Sequence, residues 1–323
     1  MVKGMLKSRL VEGVLALVHG LTKGDVIPRF FENEEEVDGI VLSSFHPYGL
    51  ARLLRDYGEE GKRFGAVVRS CDARAMIELF KRSQLRAEDV YLVGVGCYGV
   101  TELGEEEIFI HPQEMEIGGK AEPLREELIL PHCRRCEHPV PFMADVSVLY
   151  RKDGLAVIAN TQKGKEILAS AGISEEGEAD VPDPVKERAR KSQEEDFSPL
   201  KEMRAKERLS FWLKQFDKCI KCYGCRDVCP LCYCKDCYIE GGRGLIKEGE
   251  TPPERLFHLV RLAHVADSCV NCGQCERVCP MEIPISTLYH MVYKELSRVF
   301  GYESGTDLYA LPPLGFIPEE DMA

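Results

Sequence analysis

The sequence has one tryptophan, Trp212, and no run of about 18 apolar residues, so no segment reads as a membrane span. It has no basic excess either. Forty-two Lys and Arg stand against 54 Asp and Glu, a formal net charge of −12, and that balance lacks the basic surface that neutralises nucleic-acid phosphates. There is no G-x-G-x-x-G fingerprint and no Walker pattern. The opening stretch MVKGMLKSRLVEGVLALVHG has no small-residue cleavage site, and Lys7, Arg9, Glu12 and His19 interrupt it. It is expected to be an amphipathic helix and not a signal peptide. A cytoplasmic location is therefore expected, where 15 cysteines do not form a disulfide framework.

The chain also lacks cysteine between Cys136 and Cys219. Four cysteines precede that gap, seven follow in a burst from Cys219 to Cys237, and four more run from Cys269 to Cys279. Within the gap, 175–208 is dense in charge and holds Pro182, Pro184 and Pro199. It reads as a solvated helical linker, and a domain boundary is expected near residue 195.

Residues 1–195 read as an α/β domain. Apolar, β-branched runs at 39–43, 64–69, 90–96, 107–111, 145–150 and 155–161 predict strands. Helical patterns at 47–57 and 72–83 lie between them, the second with Asp72 as its expected N-cap. Residues 196–323 read as mainly α-helical, with helices at 201–216, 253–266 and 285–300 and no strand pattern. In the last, Leu288, Val292, Leu296 and Val299 are expected to face the core.

Two motifs in the helical part have identical spacing. CIKCYGCRDVCP spans 219–230 and CVNCGQCERVCP spans 269–280, each C-x2-C-x2-C-x3-C-P. In this bacterial ferredoxin run three close thiolates hold one [4Fe–4S] cube and the fourth serves the other. The first cluster is thus assigned Cys219, Cys222, Cys225 and Cys279, and the second Cys269, Cys272, Cys275 and Cys229. Zinc sites instead separate C-x2-C pairs by a long loop. The connecting residues 231–268 far exceed a small ferredoxin's linker, and the domain looks like the helical ferredoxin domains of heterodisulfide reductase and succinate dehydrogenase subunits.

Cys71 and Cys97 each follow an expected strand, at the edge where α/β domains place ligands, and Cys133 and Cys136 form a C-x2-C pair. By spacing alone, a third cluster and four packed thiols fit equally. The glycines around Cys97, namely Gly94, Gly96, Gly99 and Gly104, are expected to serve loop packing. Arg69, Arg74, Arg134 and Arg135 are expected near these cysteines. His132, His258 and His264 are expected to pack or hydrogen-bond and not to bind metal. Cys232, Cys234 and Cys237 are expected to pack or to reinforce the cluster loop; the alternative is a fourth metal centre completed by one outside ligand.

The runs SCDARAMIELFKRSQLRAEDVYLVGVGCYGV and CRRCEHPVPFMADVSV resemble the beta subunit family of coenzyme F-420-reducing hydrogenase and formate dehydrogenase. FWLKQFDKCIKCYGCRDVCPLCYCKDC resembles its formate dehydrogenase branch, and the resemblance covers about residues 40–295. It implies that Cys71, Cys97, Cys133 and Cys136 bind a [4Fe–4S] cluster beside a flavin. Family members that reduce the deazaflavin hold FAD on glycine-rich segments near the N-terminus and just after A-D-[IV]-S. Here Ser147 is followed by Val148, Leu149 and Tyr150, without the glycines that let backbone approach a pyrophosphate.

The expected function is an iron–sulfur electron-transfer subunit of a multi-subunit anaerobic oxidoreductase, of hydrogenase, formate dehydrogenase or heterodisulfide reductase type. Its expected partners are the other subunits of that redox complex. The alternatives are an FAD-containing subunit acting directly on coenzyme F-420, and a metal-stabilised scaffold without a redox role.

Overall fold

The computed structural model describes residues 1–21, 26–42, 44, 49–58, 61–102, 108–151, 154–235, 237, 239 and 254–315. Ser43, Pro47, Gly104, Glu107 and Pro253, which figure in the expectations above, lie outside them.

The first element is a short helix, α1 (Val2–Lys7), followed by strands β1 (Gly13–His19) and β2 (Val26–Phe31). The expected single N-terminal helix is therefore corrected. Its second half, GVLALVH, is a strand buried at six of seven positions. Val14, Ala16 and Val18 pack on one face of the sheet and Leu15 and Leu17 on the other, an alternation that no helix provides. Helix α2 (Leu50–Tyr57), strand β3 (Phe64–Arg69), helix α3 (Ser70–Lys81) and strand β4 (Val90–Val95) follow. A small antiparallel sheet comprises β5 (Ile108–Ile110), β6 (Glu114–Ile117) and β7 (Lys120–Pro123). Then come α4 (Pro131–Arg134), β8 (Val146–Arg151), β9 (Gly154–Ala159) and α5 (Gln162–Ala171).

The main sheet has the order β2-β1-β3-β4-β8-β9. The four inner strands are parallel and each edge strand is an antiparallel hairpin partner. β4, VYLVGV, is buried throughout, as a parallel strand covered on both faces must be. α1 and α5 cover one face and α2 and α3 the other. The expected strand at 39–43 is not formed among the described residues. Ile40 makes only an isolated bridge to Val18. Asp72 does not cap its own helix. Its carboxylate instead accepts from the Leu50 N–H at 2.9 Å and the Ala51 N–H at 3.4 Å, capping α2 and locking it to α3.

Residue 195 lies inside α6 (Asp183–Glu202), a 20-residue helix. Its Val185 packs with Tyr98, Ile110 and Ile129 of the α/β part, and its Phe197 and Leu200 pack in the helical core. The charge-rich segment is thus a strut between two cores. The helix expected at 201–216 begins later, as α7 (Ala205–Phe216). Beyond it lie the short α8 (Gly224–Asp227), then α9 (Glu254–Val265), the short α10 (Gln274–Arg277) and α11 (Ile285–Phe300). In α11 the buried face is Ile285, Leu288, Tyr289 and Tyr293. Val299 is 63% exposed, which corrects the expected seam, because the helix runs past the core at its C-terminal end. Trp212 is buried and stacks on Phe216.

The tail after α11 returns to α3. Glu78, fully buried, accepts from Tyr302 Oη at 2.6 Å and the Gly305 N–H at 2.7 Å and pairs with Lys81 and Arg82. Arg74 donates to the Ser304 carbonyl at 2.7 and 3.0 Å and to the Val270 carbonyl at 3.4 Å.

Candidate metal centres

The two ferredoxin-type loops share one backbone path. Lys221 and Tyr223 in the first have φ of 56° and 58°, and Asn271 and Gly273 at the matching positions of the second have 54° and 69°. Three of the four are not glycine, so the left-handed turns carry strain that the surroundings hold in place. Alternating αR and αL residues turn successive backbone N–H groups into a concavity for negative charge, of the kind that cradles phosphates and iron–sulfur centres. The Lys221 N–H points at Cys219 Sγ at 3.4 Å. A one-turn helix follows each loop and carries its third cysteine, Cys225 on α8 and Cys275 on α10.

The structure sorts these cysteines across the two motifs. One cavity is lined by Cys219, Cys222, Cys225 and Cys279, and another by Cys229, Cys269, Cys272 and Cys275. Each therefore takes three thiols from one motif and the last thiol of the other. A third cavity is lined by Cys71, Cys97, Cys133 and Cys136. Cys71 sits in the first turn of α3 after β3, Cys97 follows β4, and Cys133 lies on α4. The carboxyl edge of the parallel sheet brings these three segments together.

Cys272 lines both the third cavity and its own, so the α/β and helical parts share a wall there. The Asn271 side chain donates to the His132 carbonyl at 3.1 Å. The His132 ring fills the space a Cβ on Gly273 would need, which with its positive φ leaves glycine as the residue that fits. Burial, helped by Arg135 and Arg277, lowers the His132 pKa to about 3, so the ring is neutral.

Buried donors without partners identify what the cavities accept. Among the described residues they include Arg188 Nε and Nη1 and Arg261 Nε, and neither ring nitrogen of His258 has a partner, one of them being a donor because burial keeps the ring neutral. Arg188 lines the third cavity, Arg261 the second and His258 the first. An unpaired buried donor is costly, and the inorganic and thiolate sulfurs of a cluster are acceptors that such groups stabilise. Burial also pushes the Cys225 and Cys269 thiols up to about 11 and Cys133 to about 12, so metal binding must draw off their protons. All three cavities fit [4Fe–4S] groups in donor set and polarity.

Of the arginines expected near the first-domain cysteines, Arg69 lines the cavity and lies 3.4 Å from Asp72. Arg74 and Arg135 also staple regions together. Arg135 is buried and bonds Asp196 and, at 3.0 Å, Ser286. Arg188, Arg277 and Asn271, not singled out from the sequence, line the third cavity. Only folding brings these residues, from α6 and the second ferredoxin loop, to the sheet edge. Gly94 packs against Ala144, whose Cβ would lie 2.7 Å from an added Cβ.

A further cavity, of about 60 Å³, lies beside Cys97 and is lined by Val67, Val68, Phe109 and Tyr150.

A 4Fe-4S dicluster domain family matches residues 215–283, and the chain carries [4Fe–4S] clusters. The F420-dependent formate dehydrogenase subunit beta of Methanocaldococcus jannaschii is 32% identical over 361 aligned positions, covering 97% of this chain and 92% of that relative. The F420-dependent formate dehydrogenase 1 subunit beta of Methanococcus maripaludis is 31% identical, covering 97% and 91%. A chain of the F420-reducing [NiFe] hydrogenase complex from Methanosarcina barkeri superposes with a TM-score of 0.46 at 15% identity, over 60% of this chain and 82% of that one. Among the described residues no helix is long and apolar enough to cross a membrane. Iron–sulfur chemistry and near-complete alignment with these relatives lead to one conclusion: the chain belongs to the F420-dependent formate dehydrogenase beta subunit family, as an iron–sulfur electron-transfer subunit of an oxidoreductase complex.

Proposed function

We propose that the chain is the relay subunit of a cytoplasmic formate dehydrogenase-type complex and holds three [4Fe–4S] centres in line. Cys71, Cys97, Cys133 and Cys136 hold the first in the relay. Cys229, Cys269, Cys272 and Cys275 hold the middle one, and Cys219, Cys222, Cys225 and Cys279 hold the outer one. When bound, each group takes up and gives back one electron. The protein fixes their order, excludes water and supplies the positive charge that tunes them. The observation that carries this reading is Cys272, which lines the cavities of both the α/β and the helical centre. The outer centre lies beside the exposed Ile220 and Cys222, a port toward a partner subunit. Anaerobic purification followed by iron counting tests the reading. These three centres account for about twelve irons per chain, with magnetic interaction between neighbouring centres, and a total of eight or fewer would remove the α/β centre.

The second reading, direct exchange with the deazaflavin, is favoured by the relatives' F420-dependent activity. It requires a flavin in the purified complex. A complex that transfers electrons with no extractable flavin would exclude it.

A further inference from the structure

Twelve of the 15 cysteines line the three cavities above. The remaining three, Cys232, Cys234 and Cys237, all line a single further cavity of about 480 Å³, with His264 of α9 on the same wall. We propose that this cavity is a fourth iron–sulfur site, taking a [4Fe–4S] cluster on Cys232, Cys234, Cys237 and the His264 imidazole.

Three soft thiolates within six residues select iron–sulfur or zinc, and the charge on the wall decides between them. A cubane with its thiolates is an anion, whereas Zn²⁺ is a cation. The cavity is lined by Arg261 and by Lys81, Arg82 and Arg226, of which Lys81 and Arg82 pair with Glu78 and Arg226 with Asp227. Among the described residues the one carboxylate on its wall, Asp267, is already committed to the Ser268 hydroxyl at 2.7 Å and the Leu314 N–H at 2.9 Å. Arg261 is almost fully buried and keeps an Nε without a partner. It lines this cavity and that of the middle centre, so one guanidinium serves both. Cys232 is hydrogen-bonded through its side chain to Cys229, which places the site directly beside the middle centre. A preformed cluster arrives by ligand exchange. As three Fe–S bonds and one Fe–N bond form here, the four bonds between the cluster and its carrier's thiolates break, the protons leaving the three thiols pass to the released thiolates or to solvent, and no electron changes hands.

The test compares the native chain with Cys234→Ser/Cys237→Ser, both purified anaerobically within the complex. A difference of about four irons per chain, with the EPR signals of the ferredoxin-type pair retained, is expected. That difference supports the site whatever the absolute count, so loss of the α/β centre would be read separately, in Cys97→Ser. Equal iron in both proteins, or one zinc lost in place of iron, overturns it. A second measurement needs no variant. Cys234 is exposed, so if free in the native protein it reacts rapidly with iodoacetamide. Protection of all three thiols until the iron is stripped supports the site, and rapid labelling overturns it.

Discussion

The α/β and helical parts solve one problem in opposite ways. In the helical part, each cavity takes three thiols from seven consecutive residues on a loop of fixed backbone shape, and the two loops exchange their fourth cysteines. In the α/β part, the four thiols come from three segments, and only the parallel register of β3 and β4 carries Cys71 and Cys97 to one edge. The first design is written into local geometry and tolerates change in its surroundings. The second depends on the whole sheet and, through His132 and Gly273, on its neighbour.

The sharpest break of that contrast is Cys97→Ser. Removing one of four dispersed ligands is expected to release the α/β centre, about four irons per chain, while the ferredoxin-type pair keeps its EPR signals. Electron transfer that must pass through the α/β part stops. Iron analysis and EPR on the same sample check it, and loss of all iron would show that the two parts do not assemble independently.

Next is Glu78, the joint between them. Glu78→Ala leaves Lys81 and Arg82 buried without their carboxylate, an expected loss of about 3–5 kcal/mol, read by chemical denaturation. Burial opposes charge on Glu78, but the hydrogen bond from Tyr302, together with Lys81 and Arg82, outweighs it and holds the pKa below the ordinary 4.5. A depressed carboxylate stabilises the fold above its unfolded pKa and loses that contribution as pH falls through the folded value. Acid is therefore expected to free the 302–305 tail from α3 below the ordinary carboxylate range. Glu78→Gln should flatten this pH dependence, visible in hydrogen exchange at Gly305.

The same contrast explains what the sequence made legible. The grouping of the ferredoxin-type cysteines, with the last of each motif crossing to the other cavity, was legible in the spacing because that geometry is local. The third quartet needed the family resemblance, because nothing in the spacing of Cys71, Cys97 and Cys133 reveals strand order. β1 was hidden inside an apolar run that fits a helix equally well. Arg74 and Arg135, expected near the cysteines from their neighbours in sequence, are buried staples between the regions, since side-chain direction is settled by tertiary packing. Asp72 had the chemistry of a cap but serves another helix.

Gly273→Ala probes the shared wall itself. Alanine at φ 69° meets the αL penalty and drives its methyl against the buried His132 ring, overpacking the wall. Together these cost about 2–4 kcal/mol. Because the clash lies between the centres, the magnetic interaction between them should weaken more than either centre's own signal. Unchanged coupling would mean that the His132 contact does not set their separation.

The smallest expected effect separates fold stability from cofactor content. Thr161 caps α5, its hydroxyl oxygen accepting from the Gly164 N–H at 3.1 Å while donating to Asp145 Oδ1 at 2.6 Å. Asp145 in turn accepts from the Leu92 N–H at 2.8 Å, so the cap ties α5 to β4. Thr161→Ala is expected to cost about 1 kcal/mol, the usual loss for an N-cap hydroxyl. α5 packs on the face of the sheet away from α3 and contributes to none of the cysteine cavities. The variant should therefore lower the denaturation midpoint of the α/β part while every iron stays in place. If it also released iron from the α/β centre, that centre would be sensitive to small losses of sheet stability anywhere, and the difference between dispersed and local ligand sets would be greater than Cys97→Ser alone can reveal.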